Sequence, residues 1–174
     1  MRGMIAAGAL LCSAALHAQQ PPARPDSGTV TATGTRIGLF GFGVRAGVDF
    51  TGGSQMVFGT TLDLGDIATS RVRLRPSAEL GVFNGVNTYV TSAEVLYRFT
   101  DDSPPAIPYI GVGASVAGHT GCAQDSSCPA VWVNLVFGFE LHYQTSFNWL
   151  LEYHGMDAMR RHRLYIGLTT RRGN

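Results

Sequence analysis

From about residue 37 to residue 171 the chain alternates apolar and polar positions with a period of two. Successive side chains of a strand point to opposite faces, so this pattern predicts strands and not helices. One long run spans 71–83. It sets Val72, Leu74, Pro76, Ala78, Leu80 and Val82 on one face and Arg71, Arg73, Arg75, Ser77, Glu79, Gly81 and Phe83 on the other. Before it come strands at about 37–50, with Phe40, Phe42, Val44, Ala46, Val48 and Phe50 opposite Arg45 and Asp49, and at about 55–64, with Met56, Phe58, Leu62 and Leu64 opposite Asp63. After it come strands at about 89–99, 107–117, 131–143, 147–154 and 163–171, which carry Glu94 and Arg98, Tyr109, Glu140, Glu152, and Arg163 on their polar faces.

Most of these eight segments are nine residues or longer. A soluble sheet uses strands of about five or six residues, whereas a tilted membrane-crossing strand needs about 9–11. The count is even, which returns both ends of an up-and-down array to one side. Loops at 51–54, 84–87, 118–129 and 155–162 then share the opposite side, and turns at 65–70, 100–106 and 144–146 fall on the side of the termini. Pro76 forfeits a ladder hydrogen bond inside its strand, which calls for a local bulge.

The orientation of the two faces follows from where bulk and charge sit. Aromatic residues of the apolar face gather near strand ends (Phe40, Phe50, Phe58, Tyr89, Phe99, Tyr143, Phe147, Trp149, Tyr153), while Val44, Ala46, Ala78, Ala93 and Ala114 occupy the middles. Lipid-facing bands carry such aromatic girdles at their two interfaces. The polar face combines every glutamate of the sequence with a run of glycines, as a narrow interior needs small residues beside long paired ones. The fold expected is therefore all-β: an eight-stranded antiparallel up-and-down transmembrane barrel with its charges inside.

Composition agrees. Charged residues make up 14% of the 174 residues, there is no lysine, and no segment after the N-terminal region is an apolar run long enough to cross a membrane as a helix. The N-terminus has a basic start, an apolar run over Ile5–Leu16 and a small residue before Gln19, which reads as an export signal cleaved after Ala18. Residues 19–36, rich in Pro, Ser, Thr and Gly, form a lead-in, and the barrel domain occupies 37–171. Without the signal, twelve basic residues balance twelve acidic ones, which removes any electrostatic reason to bind nucleic acid. Cys122 and Cys128 remain as an even pair in an exported chain, and a disulfide closing the 118–129 loop is expected.

Export signal, Pro-rich lead, eight alternating Gly-rich strands and a polar interior together resemble the small outer-membrane β-barrels of the OmpA/OmpX type. The resemblance implies an outer-membrane location, contact with outer-membrane lipid and the barrel-assembly machinery, a monomer and no cofactor. Such barrels commonly end on an aromatic residue, and this sequence ends on Asn174. An eight-stranded interior is filled by side chains, so a plug is expected in place of a porin-size channel. The expected charge network comprises Arg45, Asp49, Asp63, Arg71, Arg73, Arg75, Glu79, Glu94, Arg98, Glu140, Glu152 and Arg163. Hairpin closure at 84–87 would pair Phe83 with Thr88, Glu79 with Ser92 and Ser77 with Glu94, leaving Arg75 diagonal to Glu94. Asp63 would meet Arg71 or Arg73, and Tyr109 would lie opposite Glu140.

Glu140-x-His142 and Glu152-x-His154 invite a metal or acid–base reading. A turn at 144–146 pairs 142 with 148 and 154 with 136, which separates the histidines by about 20 Å, so no metal site is expected. A lipid A-modifying hydrolase is one alternative function, but the sequence lacks the His-x-Ser of the deacylase type, and no catalytic residue is assigned. A soluble lipocalin-like barrel with its apolar face inward is the other.

Overall fold

The computed structural model describes residues 34–51, 54–100 and 104–171. The expected export signal and most of the lead-in lie outside the described residues. Eight antiparallel strands form a closed barrel: β1 (Arg36–Asp49), β2 (Gln55–Ile67), β3 (Thr69–Val82), β4 (Thr88–Arg98), β5 (Ala106–His119), β6 (Ala130–His142), β7 (Phe147–Met156) and β8 (Arg161–Thr170). Each pairs with its sequence neighbour, and β1 closes on β8 from Gly43↔Thr169 to Asp49↔Arg163. Closure removes the unpaired edges that an open sheet would leave. Strands of 10–14 residues match or exceed the length that a tilted crossing needs, about 9–11 residues.

Alternation decides which face is which. Along β4, Tyr89, Thr91, Ala93, Val95 and Tyr97 are exposed, while Val90, Ser92, Glu94, Leu96 and Arg98 are buried. The same parity holds along β6, where Phe137, Phe139 and Leu141 point out and Asn134, Val136 and Gly138 point in. The outside is thus a continuous apolar belt, and the ionised side chains are inside. A soluble ligand-binding barrel has the reverse polarity. This is a transmembrane barrel.

The interior is layered. Nearest the loops, Val90, Ala117 and Met156 form an apolar cluster with Trp132 packed on it. Ionised residues fill the middle. Toward the end that holds the termini of the barrel, Leu96, Tyr109, Val136 and Leu150 form a second apolar cluster.

Local register departs from the simple alternation in five places. Along β1, Ile37 pairs with Gly65 and Gly41 with Asp63, so four steps oppose two. This bulge turns Ile37 and Leu39 outward, 74% and 70% exposed, and leaves Phe40 partly buried under Arg36, whose Cζ lies 5.4 Å from the ring centre. The expected turn at 65–70 is narrower: β2 and β3 meet around Ala68, which takes the left-handed φ of 63°. The β3–β4 register differs by two from the expected one: Glu79 pairs with Val90, Ser77 with Ser92 and Arg75 directly with Glu94. Phe83 causes this by leaving the ladder at φ 71°, so it ends 77% exposed in the loop and not on the inner face.

Pro76 stays in register with β4, opposite Ala93. The irregularity lies on its other side, where five steps of β2 (Thr61 to Asp66) oppose four of β3 (Ser77 to Arg73). The strand that lacks a donor faces a bulge in its partner. Across β5–β6, finally, Tyr109 lies opposite Gly138, and Ile107 takes the place opposite Glu140.

Candidate functional site

The buried ionic centre is built from six strands. Arg45 (β1) reaches Glu79 (β3) through Nη2 and Glu152 (β7) through Nη1, each at 2.5 Å. Its guanidinium also lies over the Tyr165 ring, 4.6 Å from the centre. Arg163 (β8) donates from Nη1 to the other oxygen of Glu79 at 2.6 Å and from Nε to Asp49 at 2.9 Å. Tyr165 adds a hydroxyl to Glu79 at 2.7 Å. Arg75 (β3) binds Glu94 (β4) through Nε and Nη2 at 3.0 and 2.8 Å and bridges to Glu152 through Nη1. Tyr109 donates to Glu152 at 2.5 Å, and His154 Nε2 stands 3.1 Å from the same carboxylate.

These contacts follow from elementary constraints. A buried charge without a partner costs several kcal/mol, so long arginines must find carboxylates wherever the strands project them inward. Glycines provide the space. Gly138 lies under the Tyr109 ring, where a Cβ would come within 2.6 Å of Cε2. Tyr109 therefore lies flat across the wall and turns its hydroxyl to Glu152. Gly59 gives similar room beside Glu79 and Arg45.

Of the residues expected in the network, Arg45, Asp49, Arg75, Glu79, Glu94, Glu152 and Arg163 meet in this centre. Two form a separate layer near the barrel termini: Arg73 with Asp63 at 3.5 Å, joined by Asp66 at 4.0 Å. Arg98 approaches Glu140 at 3.9 Å, and Asn148 donates to Glu140 at 3.2 Å. Arg71 lies on the exposed rim, next to the register shift between Asp66 and Ile67. Tyr165, Asp66 and the Ser92–Ser115–Asn134 cluster were missed as partners; their only signal was an inward parity. His154 joins the centre as a neighbour of Glu152 and Arg45 and stands apart from His142, which pairs with Asn148, whereas His154 pairs with Val136. Among the described residues no group of His, Cys, Asp and Glu has a metal-binding arrangement.

At the loop end, Cys122 and Cys128 are joined as a disulfide with Cα atoms 5.2 Å apart, around a single 3-10 turn, Cys122–Gln124. His119, where β5 gives way to this loop, places Nδ1 2.9 Å from the Thr120 carbonyl and Nε2 3.3 Å from Asp125. Both partners are acceptors, so both bonds form together only in the imidazolium. The bond to the Thr120 carbonyl, and then the one to Asp125, raise the His119 pKa. Two hydrogen bonds from Ser127 and one from His119 lower that of Asp125.

The chain has the architecture of the small eight-stranded outer-membrane barrels. No protein family and no curated protein matches it in sequence. Among solved structures it resembles the N-terminal β-barrel domain of Pseudomonas aeruginosa OprF, with a TM-score of 0.56 at 14% identity over 76% of this chain and 98% of that one. It also resembles the Neisserial surface protein A, with a TM-score of 0.54 at 12% identity over 75% of this chain and 94% of that one. The likeness is one of fold.

Proposed function

We propose that this chain is an integral outer-membrane protein whose interior is closed by its own ion pairs, with a structural or surface-interaction role and no catalytic one. The observation that carries the reading is the inverted polarity: an apolar belt outside and a centre of mutually ion-paired side chains within. With the termini in the periplasm, the disulfide loop faces the exterior. The protein works as a monomer embedded in outer-membrane lipid, delivered there by its export signal and the barrel-assembly machinery.

Membrane fractionation with gel mobility tests the location. Washed membranes should release the protein only to detergent, and the unheated folded form should migrate differently from the boiled one; recovery in a periplasmic wash would reject the location. Closure predicts that purified protein in planar bilayers gives no porin-size conductance steps. A large steady conductance would reject the plug. The catalytic alternative draws no support from Ser92 and Ser115, which bond each other and Asn134. A lipid A mass spectrum unchanged between cells with and without the protein is the expected result, and a lost or added acyl chain would overturn the non-enzymatic reading.

A further inference from the structure

We propose that the loop end carries a pocket for the anionic group of a small ligand, with Arg161 as the recognising cation. The inference is independent of whether the interior conducts. A cavity of about 210 Å³ lies between the disulfide loop and the barrel mouth, lined among others by Thr88, His119, Asp125, Ser127, Trp132 and Arg161. Its floor is firm, because Trp132 packs on the apolar cluster of Val90, Ala117 and Met156. Arg161 is held against that floor with its Cζ 4.9 Å from the Trp132 ring centre.

What distinguishes Arg161 from the arginines of the interior is its lack of a counter-charge. Each of the five inward arginines, Arg45, Arg73, Arg75, Arg98 and Arg163, has a carboxylate within 4.0 Å. Arg161 has none among the described residues. The carboxylate that lines the same cavity, Asp125, is already engaged: it accepts from the Ser127 amide at 2.9 Å, the Ser127 hydroxyl at 2.6 Å and His119 at 3.3 Å. The Thr88 hydroxyl is spent on Gln55 at 2.8 Å. A pre-positioned guanidinium with free donors, beside an aromatic face, suits a carboxylate or phosphate attached to one ring. The volume is below the range of drug-sized sites, which start near 300 Å³, and so limits the ligand to about one such ring. An acidic monosaccharide fits that description, whether free in solution or part of the saccharide of a surrounding lipid.

The test uses the full barrel in detergent at fixed ionic strength, with Trp149→Phe so that Trp132 alone reports by fluorescence. Titration with glucuronate and with glucose 6-phosphate should give saturable changes in the millimolar range, with glucose at least about tenfold weaker, as the loss of a charge-assisted hydrogen bond implies. Arg161→Gln should weaken the acidic sugars by a similar factor, and Arg161→Lys should restore part of the loss. Asp125→Asn, which removes the opposing carboxylate, should tighten them. Heat-modifiable mobility, measured on every variant, separates lost binding from lost folding. Equal response to glucose, or unchanged binding by a folded Arg161→Gln barrel, would overturn the proposal. Repeating the titration in nanodiscs assigns the source: loss of the response in lipid A-containing discs, but not in phosphatidylcholine discs, supports occupation by the lipid saccharide, and retention in both supports a free solute.

Discussion

Glu152 accepts from Arg45, Arg75 and Tyr109 at once and has His154 Nε2 beside it, more partners than any other carboxylate of the centre. Removing one partner of a buried pair is far more damaging than the pair is stabilising, typically about 3–5 kcal/mol, because the remaining charge stays buried. Glu152→Gln strands parts of two arginines, whereas Glu94→Gln leaves Arg75 its second carboxylate. Both variants should lower the temperature at which the barrel loses its folded gel mobility, Glu152→Gln by more; the reverse order would contradict this wiring. Gly138 offers a second test at this scale. Gly138→Ala pushes a methyl into the Tyr109 ring and should cost about 1–3 kcal/mol. The penalty should largely vanish in a Tyr109→Ala background, because the clash and not the glycine's backbone is responsible.

At the scale of elements, the strands were legible because burial on one face and lipid on the other impose a period of two. Arg45, Glu79 and Glu152 could be placed indoors from parity alone. Register was not legible where a single backbone angle sets it. The left-handed Phe83 shifted the β3–β4 pairing by two, and the bulge at 37–41 reversed the side of Phe40. Nor could parity pair residues across the interior: it gave Tyr109 a neighbour on the wall, Glu140, while the ring crosses over Gly138 to Glu152.

The disulfide loop yields two predictions. Closing six residues restrains the unfolded chain by about 2 kcal/mol, but the staple lies beyond the ladders. Reduction, or Cys122→Ser with Cys128→Ser, should therefore leave gel mobility intact while speeding proteolytic nicking between 120 and 129. The His119–Asp125 contact should follow pH. A raised pKa makes the His119 contribution complete below its unfolded value and lost as pH rises through the folded one. A lowered pKa makes that of Asp125 complete above its unfolded value and lost as pH falls through the folded one. Nicking should thus be slowest between the two folded values and faster on either side, and His119→Gln should flatten the alkaline limb.

For the molecule as a whole, the contacts across the interior matter more than those along its wall. Arg45 with Glu79 joins β1 to β3, Arg45 with Glu152 joins β1 to β7, Arg75 with Glu152 joins β3 to β7, and Arg163 with Glu79 joins β8 to β3. None of these strand pairs are neighbours in the sheet. They act as spokes, fixing the cross-section as the ladders fix the circumference, which is why closure to solutes and resistance to heat should fail together in Glu152→Gln. The same arrangement constrains how the chain can reach its membrane. A lone hairpin entering hydrocarbon would carry arginines whose counter-ions still lie on strands not yet added, at about 2–4 kcal/mol for each one facing lipid at the midplane. The last strand must meet the first before those charges are satisfied. Burial has to wait for the ring to close, or proceed in step with it, and until then the open sheet needs a watery place in which to be held.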